Sequence, residues 1–272
     1  MAMAGGQVVV ATSVGKRGVP AVRNSAAILR LLRSDDGTPH TMTSIARELG
    51  LNGSTCHNLL KTLEDEGFVA FDSTTRTYDL GLALVDLASG IDGHSKVIQA
   101  AEAPASAYSR SSRLACFLLC KSQDKFLVLH KVESLHAIKV TIDVGTHFAL
   151  TTTALLKAYL AWQDPGIVTA FLKEQRLPSF TPNSITENDK FVSELAEVST
   201  KGYALSLREY HPDHHAITVP IFDRTGKPAY YFLTVGFAND LPDPVLLEYA
   251  GYLKSAADEV TARIRGHHPV TA

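Results

Sequence analysis

Ten residues, "REYHPDHHAI" at 208–217, bring together Glu209, His211, Asp213, His214 and His215. Imidazole and carboxylate are ordinary ligands for zinc and similar ions, so the first chemistry this run raises is metal binding or metal-assisted catalysis. The order of residues works against it. Pro212 interrupts the run, neighbouring side chains such as those of His214 and His215 point apart in a strand, and no His-x-x-x-His helix supports them. The competing reading is a polar loop rimming a ligand pocket, with one histidine reading an acid and changing charge near neutral pH.

Other reactive constellations are weaker. Ser106, Ser109, Ser111 and Ser112 lie on a helical stretch with no Gly-x-Ser-x-Gly elbow, and neither a Walker loop nor a dinucleotide glycine loop occurs. The three cysteines, Cys56, Cys116 and Cys120, form no Cys-x-x-Cys pair and read as free thiols. In "LACFLLCK" alternation puts Cys116, Leu118 and Cys120 on one strand face, where thiols behave as small apolar groups. The expectation is a protein that is not an enzyme and has no cofactor or bound metal. A metal-dependent enzyme or metal sensor built on His211, His214 and His215 is the alternative.

A second polar group carries different chemistry. Asn52, Ser54, Thr55, His57, Asn58 and Lys61 share a helical stretch with the apolar Leu59, Leu60 and Leu63. A helix that enters the DNA major groove, roughly 12 Å wide, needs small polar side chains outward and an apolar face inward. Asn58 suits an adenine edge, Ser54 and Thr55 a phosphate or thymine methyl, and Lys61 a phosphate. Arg76, in the turn "TTRTY", suits the DNA backbone or minor groove. A merely solvated polar face is the plain alternative.

The surrounding elements must position these groups. A helix is expected over Val22–Arg33, and a short one, "SIARELG", capped by Thr43 and stopped by Gly50 in the left-handed conformation. A third runs from about Ser54 to Glu66 and stops at Gly67, ahead of a two-stranded ribbon from Phe68 to Leu80. That order is a winged helix-turn-helix, α+β in class. A linker helix, "LALVDLAS", follows, then a helix over about Ser95–Ser112. About six strands come next: "LACFLLCK", "DKFLVLHKV", "HAIKVTI", "YALSLRE", "AITVPIFD" and "YYFLTVGF". Helices are expected over Thr152–Trp162, Asp164–Gln175, Glu187–Lys201 and Asp243–Arg265. The short links at Gln123-Asp124 and Arg224-Thr225-Gly226 predict an antiparallel sheet backed by helices.

The domain plan is therefore a flexible basic arm over 1–20, a DNA-binding domain over 21–81, a linker helix over 82–93 and a second domain over 94–272. With 272 residues and 45% hydrophobic composition, the chain can fill more than one core. Net charge is only −2, but residues 1–34 carry Lys16, Arg17, Arg23, Arg30 and Arg33 with no acid, so the cationic character is local. No run approaches the roughly 20 apolar residues of a membrane span, and the start lacks a basic leader, which predicts a cytoplasmic protein with no membrane partner.

"TSIARELGLNGSTCHNLLKTLEDEGFVAFDSTTRTYDLGLAL" resembles the DNA-binding half of IclR-type bacterial transcriptional regulators, with a wing closed by Tyr-x-Leu-Gly, here Tyr78 to Gly81. The likeness continues through "LTTTALLKAYLA", "FTPNSIT", "KGYALSLRE", "AITVPIFD" and the last helix, over roughly residues 21 to 265. The resemblance implies a GAF-like α/β effector-binding domain for a small metabolite, often a carboxylic or aromatic acid. It also implies homo-oligomers, dimers or dimers of dimers, on near-palindromic double-stranded operators. By position it places pocket residues at Ala154, Leu155, Ser206, Leu207, His214, Ala216, Leu233 and Val235. Arg208, His214, His215, Thr218 and the backbone N–H groups around Thr153 are its candidate acid readers. Relatives often carry arginine where Asn58 stands, and glycine where Leu156 precedes Lys157.

Overall fold

The computed structural model describes residues 18–33, 38–90 and 92–266. The chain divides into two compact units, residues 1–92 and 93–272. Of the arm expected over 1–20, residues 1–17 lie outside the described residues, and Pro20 already opens the first helix.

The N-terminal unit contains α1 (Pro20–Leu32), α2 (Met42–Glu48) and α3 (Gly53–Asp65), then β1 (Val69–Asp72), β2 (Thr77–Leu80) and α4 (Ala83–Ser89). Its core joins Ile28 and Leu32 of α1, Ile45 of α2, Cys56, Leu60 and Leu63 of α3, and Val69 of β1. Gly50 and Gly67 have φ of +63° and +72°, conformations that favour glycine, and each ends a helix as the sequence predicts. β1 and β2 pair antiparallel, Val69 with Leu80 and Phe71 with Tyr78. The Tyr78 N–H also donates to the His40 carbonyl (2.8 Å), tying the wing to the segment ahead of α2.

Two boundaries differ from expectation. Thr43 does not cap α2; Thr41 does, because its hydroxyl accepts the Ser44 N–H (3.2 Å) while Ser44 Oγ accepts the Thr41 N–H (2.9 Å). This reciprocal box satisfies two donors that Thr43, two residues further on, cannot reach. α3 likewise begins at Gly53, with Asn52 as its cap.

The second unit is a six-stranded antiparallel sheet in the order β5-β4-β3-β8-β7-β6. Its strands are β3 (Cys116–Ser122), β4 (Lys125–Val132), β5 (His147–Ala149), β6 (Ala204–Leu207), β7 (His214–Phe222) and β8 (Pro228–Phe237). Helices α5 (Asp92–Ser112) and α9 (Asp243–Gly266) cover one face. There Val97, Ala101, Leu246 and Leu253 meet Cys116, Leu118, Ile217 and Phe232. On the other face α6 (Thr153–Leu160) and α8 (Asn188–Lys201) set Leu155, Ala158 and Val198 over Phe117, Leu119, Tyr231 and Leu233. Helix α7 (Pro165–Glu174) completes a smaller cluster of Leu156, Leu160, Val168, Phe191 and Leu195.

The strand expected at "HAIKVTI" is a correction. Residues 136–142 form no ladder, because the free edge of β4 pairs with β5 and its Val128 bonds Gly145 and Thr146 instead. Lys131 binds Glu133 and Asp143, and Lys139 binds Glu133, so the loop is closed by ion pairs rather than by a strand.

Candidate DNA-binding face and effector pocket

On α3 the side chains of Asn52, Ser54, His57, Asn58 and Lys61 are exposed and that of Thr55 is half-buried, while Cys56, Leu60 and Leu63 face the core. Asn52 Oδ1 accepts the Thr55 N–H (2.8 Å) and the Ser54 hydroxyl (3.0 Å), so its carbonyl is occupied by the cap. Lys61 lies against Asp65 (3.1 Å) and Glu64 (3.5 Å); the Asp65 hydrogen bond and charge lead in raising its pKa. Thr43 is exposed in the first turn of α2. Arg76 is exposed in the wing turn with φ +58°. Asp72 Oδ1 shapes that turn by accepting the Thr74 N–H (2.8 Å).

In the second unit β7 sorts the histidine run. Ser206 pairs with Ala216, Ala216 with Val235, and Thr218 with Leu233, so these residues line the α6-covered face together with His214. The Thr153 hydroxyl donates to Ser206 Oγ (2.8 Å), and Ala154 and Leu155 are buried beside it. The Thr218 hydroxyl and the Tyr231 hydroxyl are buried on this face without a hydrogen-bond partner among the described residues. His214 is half-buried, and burial, with the nearby His211, holds its pKa below the ordinary 6.5.

Three sites depart from expectation. Leu207, one residue after Ser206, points to the opposite face and is 41% exposed. Arg208 spends its guanidinium on the Pro212 carbonyl (2.7 Å) and Asn239 Oδ1 (3.0 Å). His215 alternates to the α5/α9 side with Ile217, where burial lowers its pKa. His211 stacks on His214 at 4.4 Å between ring centroids, and its Nδ1 accepts the Asp213 N–H (3.2 Å). Among the described residues no group of three or more His, Cys, Asp or Glu is placed to hold a metal ion. The metal-centred alternative therefore has no geometric support.

Two family patterns match the chain. The IclR helix-turn-helix domain matches residues 21–73, and the Bacterial transcriptional regulator IclR C-terminal domain matches residues 92–262. The chain belongs to the IclR family. It is a transcriptional regulator with an effector-binding C-terminal domain.

Among relatives of this IclR-family chain, the HTH-type transcriptional regulator KdgR of Escherichia coli is 26% identical over 231 residues, 84% of this chain and 86% of KdgR. The crystal structure of an IclR transcriptional regulator from Alicyclobacillus acidocaldarius superposes with a TM-score of 0.78 at 29% identity, covering 91% of this chain and all of the other. An IclR homologue from Microbacterium hydrocarbonoxydans, complexed with 4-hydroxybenzoate, shares the fold with a TM-score of 0.77 at 19% identity, over 90% of this chain and 99% of the homologue.

The structure also shows contacts that sequence reasoning passed over. The Leu156 side chain turns away from the sheet into the cluster with Leu160, Val168 and Phe191. Lys157, in an otherwise apolar helix, is buried against Glu209, 52 residues away. The only sequence sign was a lysine in the run "ALLKAYL", where a long side chain more often reaches solvent.

Proposed function

We propose that this IclR-family regulator binds a near-palindromic operator as a dimer or dimer of dimers, and that a small carboxylic or aromatic acid in the second unit modulates that binding. The observation that carries the ligand reading is the face formed by Ser206, His214, Ala216, Leu233 and Val235 beneath Thr153, Ala154 and Leu155 of α6. It is apolar at its floor, has hydroxyls and one imidazole at its margin, and includes the Thr218 hydroxyl, which has no hydrogen-bond partner among the described residues. His214 and the backbone around Thr153 are the groups proposed to read the carboxylate, with Arg208 holding the loop that carries His214.

The DNA reading assigns base contacts to Asn58 and His57, backbone contacts to Ser54, Thr55, Lys61 and Thr43, and the wing contact to Arg76, with Asn52 donating from its amide while its carbonyl caps α3. Leu82, ahead of α4, and Val85 and Leu87 on it are exposed apolar side chains, which suits contact with a second copy. An effector that favours one placement of two DNA-binding units over another needs a coupling energy of only about 1 to 3 kcal/mol.

The test selects duplexes from random DNA by binding to the full-length chain, then repeats the binding with 4-hydroxybenzoate and a panel of small carboxylic acids. The expected outcome is enrichment of a two-fold-symmetric sequence whose affinity shifts with at least one acid. Enrichment of no sequence, or an affinity unmoved by every acid, overturns the corresponding half of the proposal.

A further inference from the structure

Lys157 is 1% exposed, the most deeply buried charged side chain among the described residues. Its ammonium donates to Glu209 Oε1 (2.7 Å), the Leu205 carbonyl (2.9 Å) and Glu194 Oε1 (3.1 Å), which uses all three of its protons. The Glu209 carboxylate in turn accepts the Leu207 N–H. Leu205 and Leu207 present these groups from the outer edge of β6, which pairs only with β7. The pair therefore occupies both a carbonyl and an amide of the edge strand.

The same residues tie four segments together. The Glu209 carbonyl accepts the hydroxyls of Ser184 (2.7 Å) and Thr181 (3.2 Å), and the Arg208 carbonyl accepts Thr181 Oγ1 (2.7 Å). One turn before Lys157 on α6, Thr153 holds Ser206. Helix α6, strand β6, the turn at 181–184 and the loop leading to His214 thus converge on one buried ion pair. Burial of such a pair carries a desolvation penalty that apolar residues of the same size avoid, so stability alone does not account for it.

We infer that Lys157 and Glu209 are a positioning pair, which fixes the helix over the effector pocket relative to the loop 208–213 that leads into His214. They act through Thr153, Ser206 and His214. The pair bears on ligand recognition only if the effector occupies the α6-covered face, as proposed above.

The experiment compares the full-length chain with Lys157→Met, Glu209→Gln and the double variant. Melting temperature, amide hydrogen exchange and binding of 4-hydroxybenzoate and the acid panel are measured on each. The single variants are expected to exchange about tenfold faster at 181–184 and 205–214 while α5 and α9 keep their protection. The double variant, with neutral side chains of matched size, is expected to recover its melting temperature but to keep acid affinity about tenfold weaker. Affinity that simply follows melting temperature across the set, uniform loss of protection, or no local change each overturns the positioning role. Glu209→Gln preserves shape, so the test survives a misfolded Lys157→Met. If the unaltered chain binds no acid, the pocket reading fails on its own, and local exchange at 181–184 and 205–214 still decides the pair.

Discussion

Lys61 on α3 holds its ammonium 3.1 Å from Asp65 Oδ1, one turn further along the helix. Both groups are more than half exposed, so the contact is weak in water and competes with any phosphate the lysine is to meet. Asp65→Asn is expected to tighten binding to all duplexes a few-fold, roughly the worth of one freed phosphate contact. Lys61→Ala is expected to weaken all duplexes and lower the salt slope by about one unit. Asn58→Ala differs in kind: it should cost about 1 to 3 kcal/mol of discrimination at one base position and little on random DNA. Salt-dependent anisotropy titrations on selected and random duplexes separate the three. Equal losses on both DNAs for Asn58→Ala would remove it from base reading.

Leu156→Gly removes the buried side chain that precedes Lys157 on α6. Because the Leu156 side chain is 1% exposed in the α7/α8 cluster, the change should open a cavity there and leave the proposed pocket alone. The expected cost is at least the 2–5 kcal/mol typical of deleting a buried leucine, with acid affinity unchanged in the folded fraction. Denaturant unfolding and calorimetry measure the two quantities separately. Tighter or altered acid binding without loss of stability would place Leu156 at the pocket after all.

Gly81 packs its backbone against the Gly67 carbonyl so closely that an added Cβ would collide with main chain. The two glycines close the wing, with the Gly81 N–H donating to the Phe68 carbonyl at 2.8 Å. Gly81→Ala should therefore destabilise the N-terminal unit by about 1–3 kcal/mol, the usual scale of overpacking. Proteolysis or hydrogen exchange over residues 38–90 is the readout, and protection equal to the unaltered chain would contradict the close approach.

His214 is held below the ordinary 6.5 chiefly by burial, so it is neutral at pH 7 in the free protein. In the window between that lowered value and 6.5 the unfolded chain binds more protons than the folded one. Stability from this group is present above 6.5 and is lost as pH falls through the window; His215 is shifted the same way. A carboxylate beside His214 reverses the preference by stabilising the imidazolium. Acid binding should then take up a proton and strengthen as pH falls from about 8 to 6, while His214→Ala should weaken it about tenfold and flatten the profile. Calorimetry in buffers of different ionisation enthalpy detects the uptake; no uptake would place His214 outside the site.

Local signals carried much of this architecture. Gly50 and Gly67 mark helix ends because few other residues tolerate their φ, and the alternation in "LACFLLCK" sends Cys116 and Leu118 to one core and Phe117 and Leu119 to the other. Alternation also separates His214 from His215, and applied to β6 it separates Leu207 from Ser206. Reading Leu207 as a pocket residue set position in a motif above that period. Other features depend on partners that a linear reading does not supply. Thr41 and Thr43 look alike until Ser44 closes a box with only one of them. The apolar alternation of "HAIKVTI" resembles a strand, yet the β4 edge it would need is already used by residues 145–149. Lys157 has its counter-charges 37 and 52 residues away, and nothing in the helix sequence points there.

Sheets grow where a rim strand offers open amides and carbonyls, and an unguarded rim invites other chains to join it. In this sheet one rim ends in the three-residue strand β5, and the other has its outward groups at Leu205 and Leu207 taken by an ammonium and a carboxylate. Strand-by-strand accretion between molecules is thereby discouraged at both margins. The helical surfaces that flank the sheet carry no such row of open backbone groups, so a partner meeting them would add no strand to it.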